Sequence, residues 1–106
     1  MTEEPNLINL IQLSDGNETI KSSLWLVLKE EFSKEVEEYN LKIIENNFSL
    51  ASGIVHKIRH KIGFLGMQNA YDLSYQYQQN LEISSTDLKE EFELILNTIK
   101  EFILKN

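Results

Sequence analysis

The sequence predicts an all-α protein: an antiparallel, up-down-up-down four-helix bundle with a short N-terminal helix. Three observations lead there. A single proline, at position 5, and four glycines leave little to interrupt helices. Apolar residues recur three and four positions apart through most of the chain, with no strand-like alternation. The breaks between these periodic stretches are short, which makes consecutive helices antiparallel neighbours. With 106 residues, the whole span 1–106 reads as one domain.

The elements follow in order. Leu7 to Leu13 is a short apolar stretch, one or two helical turns lying against the bundle. Ser14-Asp15-Gly16-Asn17 breaks it, and Asn17 suits the N-cap of a helix predicted over 18–45. Ile20, Leu24, Leu28, Phe32, Val36 and Tyr39 form the inward stripe of that helix, with Glu30, Glu31, Glu35, Glu37 and Glu38 largely outside it. Asn46-Asn47 ends it, and Asn47 caps a third helix over 48–65. Phe48, Ala51, Val55, Ile58, Ile62 and Leu65 give this third helix a continuous apolar seam. Gly66 supplies a tight turn into a fourth helix over 67–82, with Ala70, Leu73, Tyr77 and Leu81 inward. Ser84-Ser85-Thr86-Asp87 has the form of a capping box before a last helix that runs to about Leu104. That helix is expected to bury Leu88, Phe92, Ile95, Ile99 and Phe102, and Trp25 belongs in the core or at its seam.

Composition narrows the function classes. The net charge of −7 argues against general nucleic-acid binding, which needs a basic footprint. The absence of cysteine excludes disulfides and thiolate metal sites. The longest apolar run, Leu24-Trp25-Leu26-Val27-Leu28, is far shorter than the roughly 20 residues of a membrane helix. The acidic start Met1-Thr2-Glu3-Glu4-Pro5 is no secretory signal, so a cytoplasmic protein is expected. Against this acidic background, no Asp or Glu occurs between Glu45 and Asp72, an interval that holds Lys57, Arg59, Lys61 and both histidines. A neutral-to-positive strip should therefore cross the molecule.

On a helix turning about 100° per residue, His56 shares its face with Ser49, Ser52, Gly53, Arg59, His60 and Gly63. The core stripe of Val55, Ile58 and Ile62 lies opposite, so His56 should point to solvent. Each helical glycine costs about 1 kcal/mol relative to alanine, and a merely solvated face would more cheaply carry Lys, Glu or Gln. Small residues around His56 therefore suggest a surface cleared for another protein. Neutral imidazole is a nucleophile near neutral pH, suited to carrying a phosphoryl group. Such a site needs an exposed ring nitrogen, a partner for the other nitrogen, and positive charge near the phosphoryl oxygens. Arg59, one turn along, offers the charge, and Gln78 on the neighbouring helix is the candidate partner. His56 and His60, spaced i, i+4, also suggest half of a metal site. Two ligands with no acidic residue within a turn, flanked by three cations, do not make one, and neither metal nor cofactor is predicted. Tyr71, Tyr75 and Tyr77 read as packing and docking residues.

The run Val55-His56-Lys57-Ile58-Arg59-His60-Lys61-Ile62-Gly63-Phe64-Leu65-Gly66 resembles the signature of histidine phosphotransfer domains. That signature usually reads Ala-His-x-Leu-Lys-Gly, then a small residue seven places after the histidine, then Leu-Gly. His56 matches the phosphoacceptor, Ile58 the aliphatic position, Arg59 the basic one, Gly63 the small one, and Leu65-Gly66 the turn. Phe48 fits the family's usual start to this helix, and Gln78 stands where the family often orients the histidine. The likeness is detailed from about Phe48 to Gln78. It departs at His60, where the family usually has glycine, and at Lys61, the next position, where a small residue is usual. Only His56 has matching neighbours on both sides.

The resemblance implies a phosphorelay intermediate that takes a phosphoryl group on His56 from a receiver-domain aspartate and passes it to another receiver. Ser52, Gly53, His60 and Gly63 would meet the receiver. The partners implied are response-regulator receiver domains and a sensor histidine kinase, simple or hybrid; the domain would be a monomeric phosphocarrier without autokinase activity. From a different class, a helical adaptor would bind signalling proteins through the same face without phosphoryl transfer. A third possibility is the phosphoacceptor domain of a larger kinase.

Overall fold

The computed structural model describes residues 3–106; Met1 and Thr2 of the acidic N-terminal run lie outside the described residues. Among those described there are five helices and no strand: α1 (Ile8–Ser14), α2 (Glu18–Ile44), α3 (Phe48–Phe64), α4 (Gln68–Glu82) and α5 (Lys89–Lys105). Local chemistry sets several of their ends. The Asn17 side chain accepts the Ile20 N–H at 3.0 Å, and Asn47 accepts the Leu50 N–H at 3.2 Å. Each such cap stabilises a helix start by about 1 kcal/mol. Gly66 turns the chain between α3 and α4 with φ +79°, a left-handed conformation that a side chain rarely adopts.

α3 packs against both α2 and α4, and α4 in turn meets α5. Val55, Ile58, Ile62, Ala51 and Leu65 are buried as predicted, whereas Phe48 is only half-buried. At one end of the core, Tyr39, Tyr77 and Phe92 bring α2, α4 and α5 together, with ring centroids 5.0–6.3 Å apart. The Tyr77 hydroxyl donates to that of Tyr39 at 2.6 Å, and Tyr39 donates onward to Glu93 Oε2 at 3.0 Å. Burial first, then the Glu93 carboxylate, through its charge and as acceptor of the Tyr39 proton, raise the Tyr39 phenol far above its usual range. Burial raises Tyr77 as well. At the other end Trp25 meets Phe102 edge-on at 6.0 Å, and its indole N–H donates to the Asn106 main-chain oxygen.

The structure corrects three local expectations. Ile20 is exposed: α2, at about 40 Å, outruns the shorter α3, so its first turns lack a full set of neighbours. Ser84 to Asp87 forms no capping box. Leu88 stands at the N-cap of α5 with φ +74° and no side-chain bond to the helix, while Ser85 Oγ accepts the Asp87 N–H to make a local turn. The register is the reason: α5 starts at Lys89, so Asp87 precedes the helix and cannot fill the third helical position that the box requires. Glu35, placed outside the inward stripe of α2, is mostly covered, and Lys61 of α3 reaches across to it.

A distant residue caps α4. The Glu3 carboxylate accepts the Asn69 and Ala70 N–H groups at 2.9 and 2.8 Å, and negative charge there also suits the helix dipole. Nearby, the Asn6 N–H donates to the Leu65 carbonyl and Asn9 Nδ2 to that of Phe64. The N-terminal segment thus ties down the α3–α4 turn.

Candidate functional site

Helix phase places the histidines. With Val55 and Ile58 fully buried, the intervening His56 faces outward, and so do Gly53, Lys57 and His60. The Nε2 atoms of His56 and His60 are 3.1 Å apart, and their rings meet edge to face at 4.6 Å. One nitrogen of this contact donates and the other accepts, which tautomer sets.

Arg59 is held from its own side. Its guanidinium carbon lies 4.8 Å from the Tyr71 ring and 4.9 Å from that of Tyr75, while Nε is buried without a hydrogen-bond partner. Two aromatic faces thus fix a cation one turn beyond His56. Gly63 makes the arrangement possible: a Cβ there would stand 2.8 Å from Tyr71 Cδ1. This corrects the expectation for Gly63, which admits a neighbouring side chain of the same molecule and is not cleared for a partner. Gly53 behaves oppositely, because a Cβ there meets nothing within 4 Å. That position is open surface.

Two further site residues are placed differently from the helical-face expectation. Ser52 is only 3% exposed; its hydroxyl donates to the Gln78 carbonyl at 3.1 Å and lies 3.4 Å from Glu82 Oε1, since α4 covers that edge of α3. It is therefore no docking residue. Gln78 makes no hydrogen bond to His56, and its side-chain Oε1 is buried without a partner. His60, not Gln78, is within hydrogen-bond distance of a His56 ring nitrogen.

The positive strip is also narrower than the sequence suggests. Lys61 pairs with Glu31 at 3.3 Å and Glu35 at 3.1 Å, and Arg59 is stacked between tyrosines. Lys57 remains exposed without an ion pair among the described residues. No three His, Cys, Asp or Glu side chains among those residues are grouped to hold a metal ion, and no helix there is long and apolar enough to cross a membrane. A groove of about 590 Å³ between α2 and α5 takes no residue from α3. The histidine face, with Gly53, His56, Lys57 and His60, is exposed.

Sequence reasoning missed the Tyr71–Arg59–Tyr75 stack and the mutual contact of the histidines. The i, i+4 spacing was a signal for the second; the first needed the rotation of α4 against α3. Compared with protein-family models, curated proteins and solved structures, the chain finds no match in any of the three.

Proposed function

We propose that the chain is a histidine phosphotransfer domain, an antiparallel up-down-up-down four-helix bundle with a short N-terminal helix, acting in the cytoplasm as a monomeric phosphocarrier. The observation that carries this reading is an exposed histidine midway along a buried-backed helix, with a fixed arginine one turn after it and open space over Gly53 one turn before it. The contacts of α2 with α4 and α5 at one end of the core, and with α5 at the other, support the bundle arrangement. A ring nitrogen of His56 attacks the aspartyl phosphate of a receiver. The N–P bond forms as the P–O bond to the aspartate breaks, and the electron pair leaves with the carboxylate. The reverse exchange loads a second receiver. Divalent metal belongs to the receiver's acidic pocket, and a sensor histidine kinase stands upstream.

The test is incubation with acetyl phosphate, Mg²⁺ and receiver domains, followed by mapping of acid-labile phosphate. Labelling at His56, lost in His56→Gln with unchanged helical circular dichroism, supports the proposal. Label on His60 alone overturns the choice of acceptor, and no label with any receiver overturns the function. A second reading, the non-phosphorylated helical adaptor, is favoured by one observation: Gln78 does not hold the His56 ring. On that reading receivers bind but no acid-labile phosphate appears.

A further inference from the structure

We propose that His60 is a positioning residue for His56: its ring N–H donates to Nε2 of His56, leaving the lone pair on that nitrogen and the proton on Nδ1. Once Nε2 carries a phosphoryl group, the same N–H turns to a phosphoryl oxygen. The proposal rests on the phosphocarrier reading and names a regulator of its site.

The geometry limits the choices to two. When both rings are neutral, each has one protonated and one bare nitrogen. At 3.1 Å the two Nε2 atoms attract only if one bears the proton and the other does not. The tautomers of the two rings are therefore coupled. If His56 donates, its exposed Nε2 has no lone pair to give to phosphorus. If His60 donates, Nε2 of His56 keeps its lone pair, which becomes the nucleophile once that hydrogen bond opens, and Nδ1 holds the proton.

The phosphocarrier reading selects the latter, because only then does the exposed Nε2 of His56 hold a lone pair.

Phosphoryl transfer preserves the logic. The hydrogen bond from His60 opens, the Nε2 lone pair that accepted it forms the N–P bond, the aspartyl carboxylate leaves with the P–O electron pair, and the imidazole, now cationic, releases its Nδ1 proton to solvent. The His60 N–H has then lost its nitrogen acceptor and finds anionic oxygens one bond further out, which accept more strongly than a neutral nitrogen.

The test uses ¹⁵N-labelled full chain at about pH 8, above the ordinary imidazole range, with long-range ¹H–¹⁵N correlation to assign ring protons. In wild type, His56 should be protonated mainly on Nδ1 and His60 on Nε2. His60→Ala should return His56 to the Nε2–H-rich mixture of a free imidazole side chain. His60→Gln, whose amide still donates, should retain the Nδ1–H form. For the phosphorylated domain, hydrolysis should be about fivefold faster in His60→Ala, roughly the loss of one hydrogen bond, and near wild type in His60→Gln. A His56 tautomer unaffected by His60→Ala overturns the pairing, whatever the labelling shows. Failure of wild type to accept phosphate from any receiver, with the tautomers coupled as described, instead overturns the phosphocarrier reading and the phosphoryl half of the proposal.

Discussion

Replacing Gly63 with alanine is the sharpest probe of the Arg59 stack. In an unobstructed helix this change stabilises by about 1 kcal/mol. Here the new Cβ stands 2.8 Å from Tyr71 Cδ1 and 3.1 Å from Cε1, so the ring must shift by several tenths of an ångström. Overpacking of this kind costs about 1–3 kcal/mol, and loosening one face of the cation–π stack adds up to about 1 kcal/mol. The variant should therefore be less stable than wild type by about 1 kcal/mol after the propensity gain is subtracted. Gly53→Ala, where nothing lies within 4 Å, should instead gain the full propensity term, about 1 kcal/mol. Urea unfolding followed by circular dichroism measures both, provided the denaturant slopes agree. Tyr71→Ala removes the obstacle, so Gly63→Ala in that background should stabilise by about 1 kcal/mol, a coupling of about 2 kcal/mol. If Gly63→Ala stabilises equally in both backgrounds, Tyr71 does not occupy the space above the glycine and the reasoning fails.

Four other outcomes are expected. Gly53→Gln should slow phosphoryl transfer while leaving stability at or above wild type, because its side chain stands on the open face beside His56; unchanged transfer places the docking surface elsewhere. Arg59→Ala should slow transfer or shorten the life of the phosphorylated form, with Arg59→Lys intermediate since a point charge replaces a planar fork; equal rates mean the stacked arginine does not reach the phosphoryl group. The raised phenols of Tyr39 and Tyr77 make the folded state bind protons more tightly, so stability should be full below about pH 10 and fall as pH rises beyond it. In an alkaline titration their phenolate absorbance should appear only with loss of helical signal, and earlier appearance refutes the buried pair. Lys61→Met should destabilise by about 2 kcal/mol by leaving the mostly covered Glu35 unpaired, with most of the loss recovered in Lys61→Met/Glu35→Met, as urea midpoints would show.

Much of the fold was legible because its determinants are local. Asn17 and Asn47 cap helices through atoms three residues away, and the seam from Ala51 to Leu65 declares a buried face by spacing alone. The same phase, read from the other side, exposed His56, Gly53 and His60. Where a face met another helix, the pattern ran out. Ser52 and Gly63 share the histidine stripe in a helical projection, yet α4 covers the first and fills the space above the second. No property of either residue specifies how far α4 leans over α3.

The partners of charged groups were equally hidden. Lys61 finds Glu31 and Glu35 on another helix, Arg59 finds two tyrosines, and Glu3 caps a helix that begins 65 positions later. Periodicity and local capping depend on residues within one or two turns, so the chain by itself determined the helices, the starts of α2 and α3 and the outward direction of His56. Close approach between helices depends on side chains remote in sequence that meet only after packing. Tertiary structure alone therefore decided which small residue was free surface, which cation of the strip remained unpaired, and that His60 rather than Gln78 stands within hydrogen-bond distance of the His56 ring.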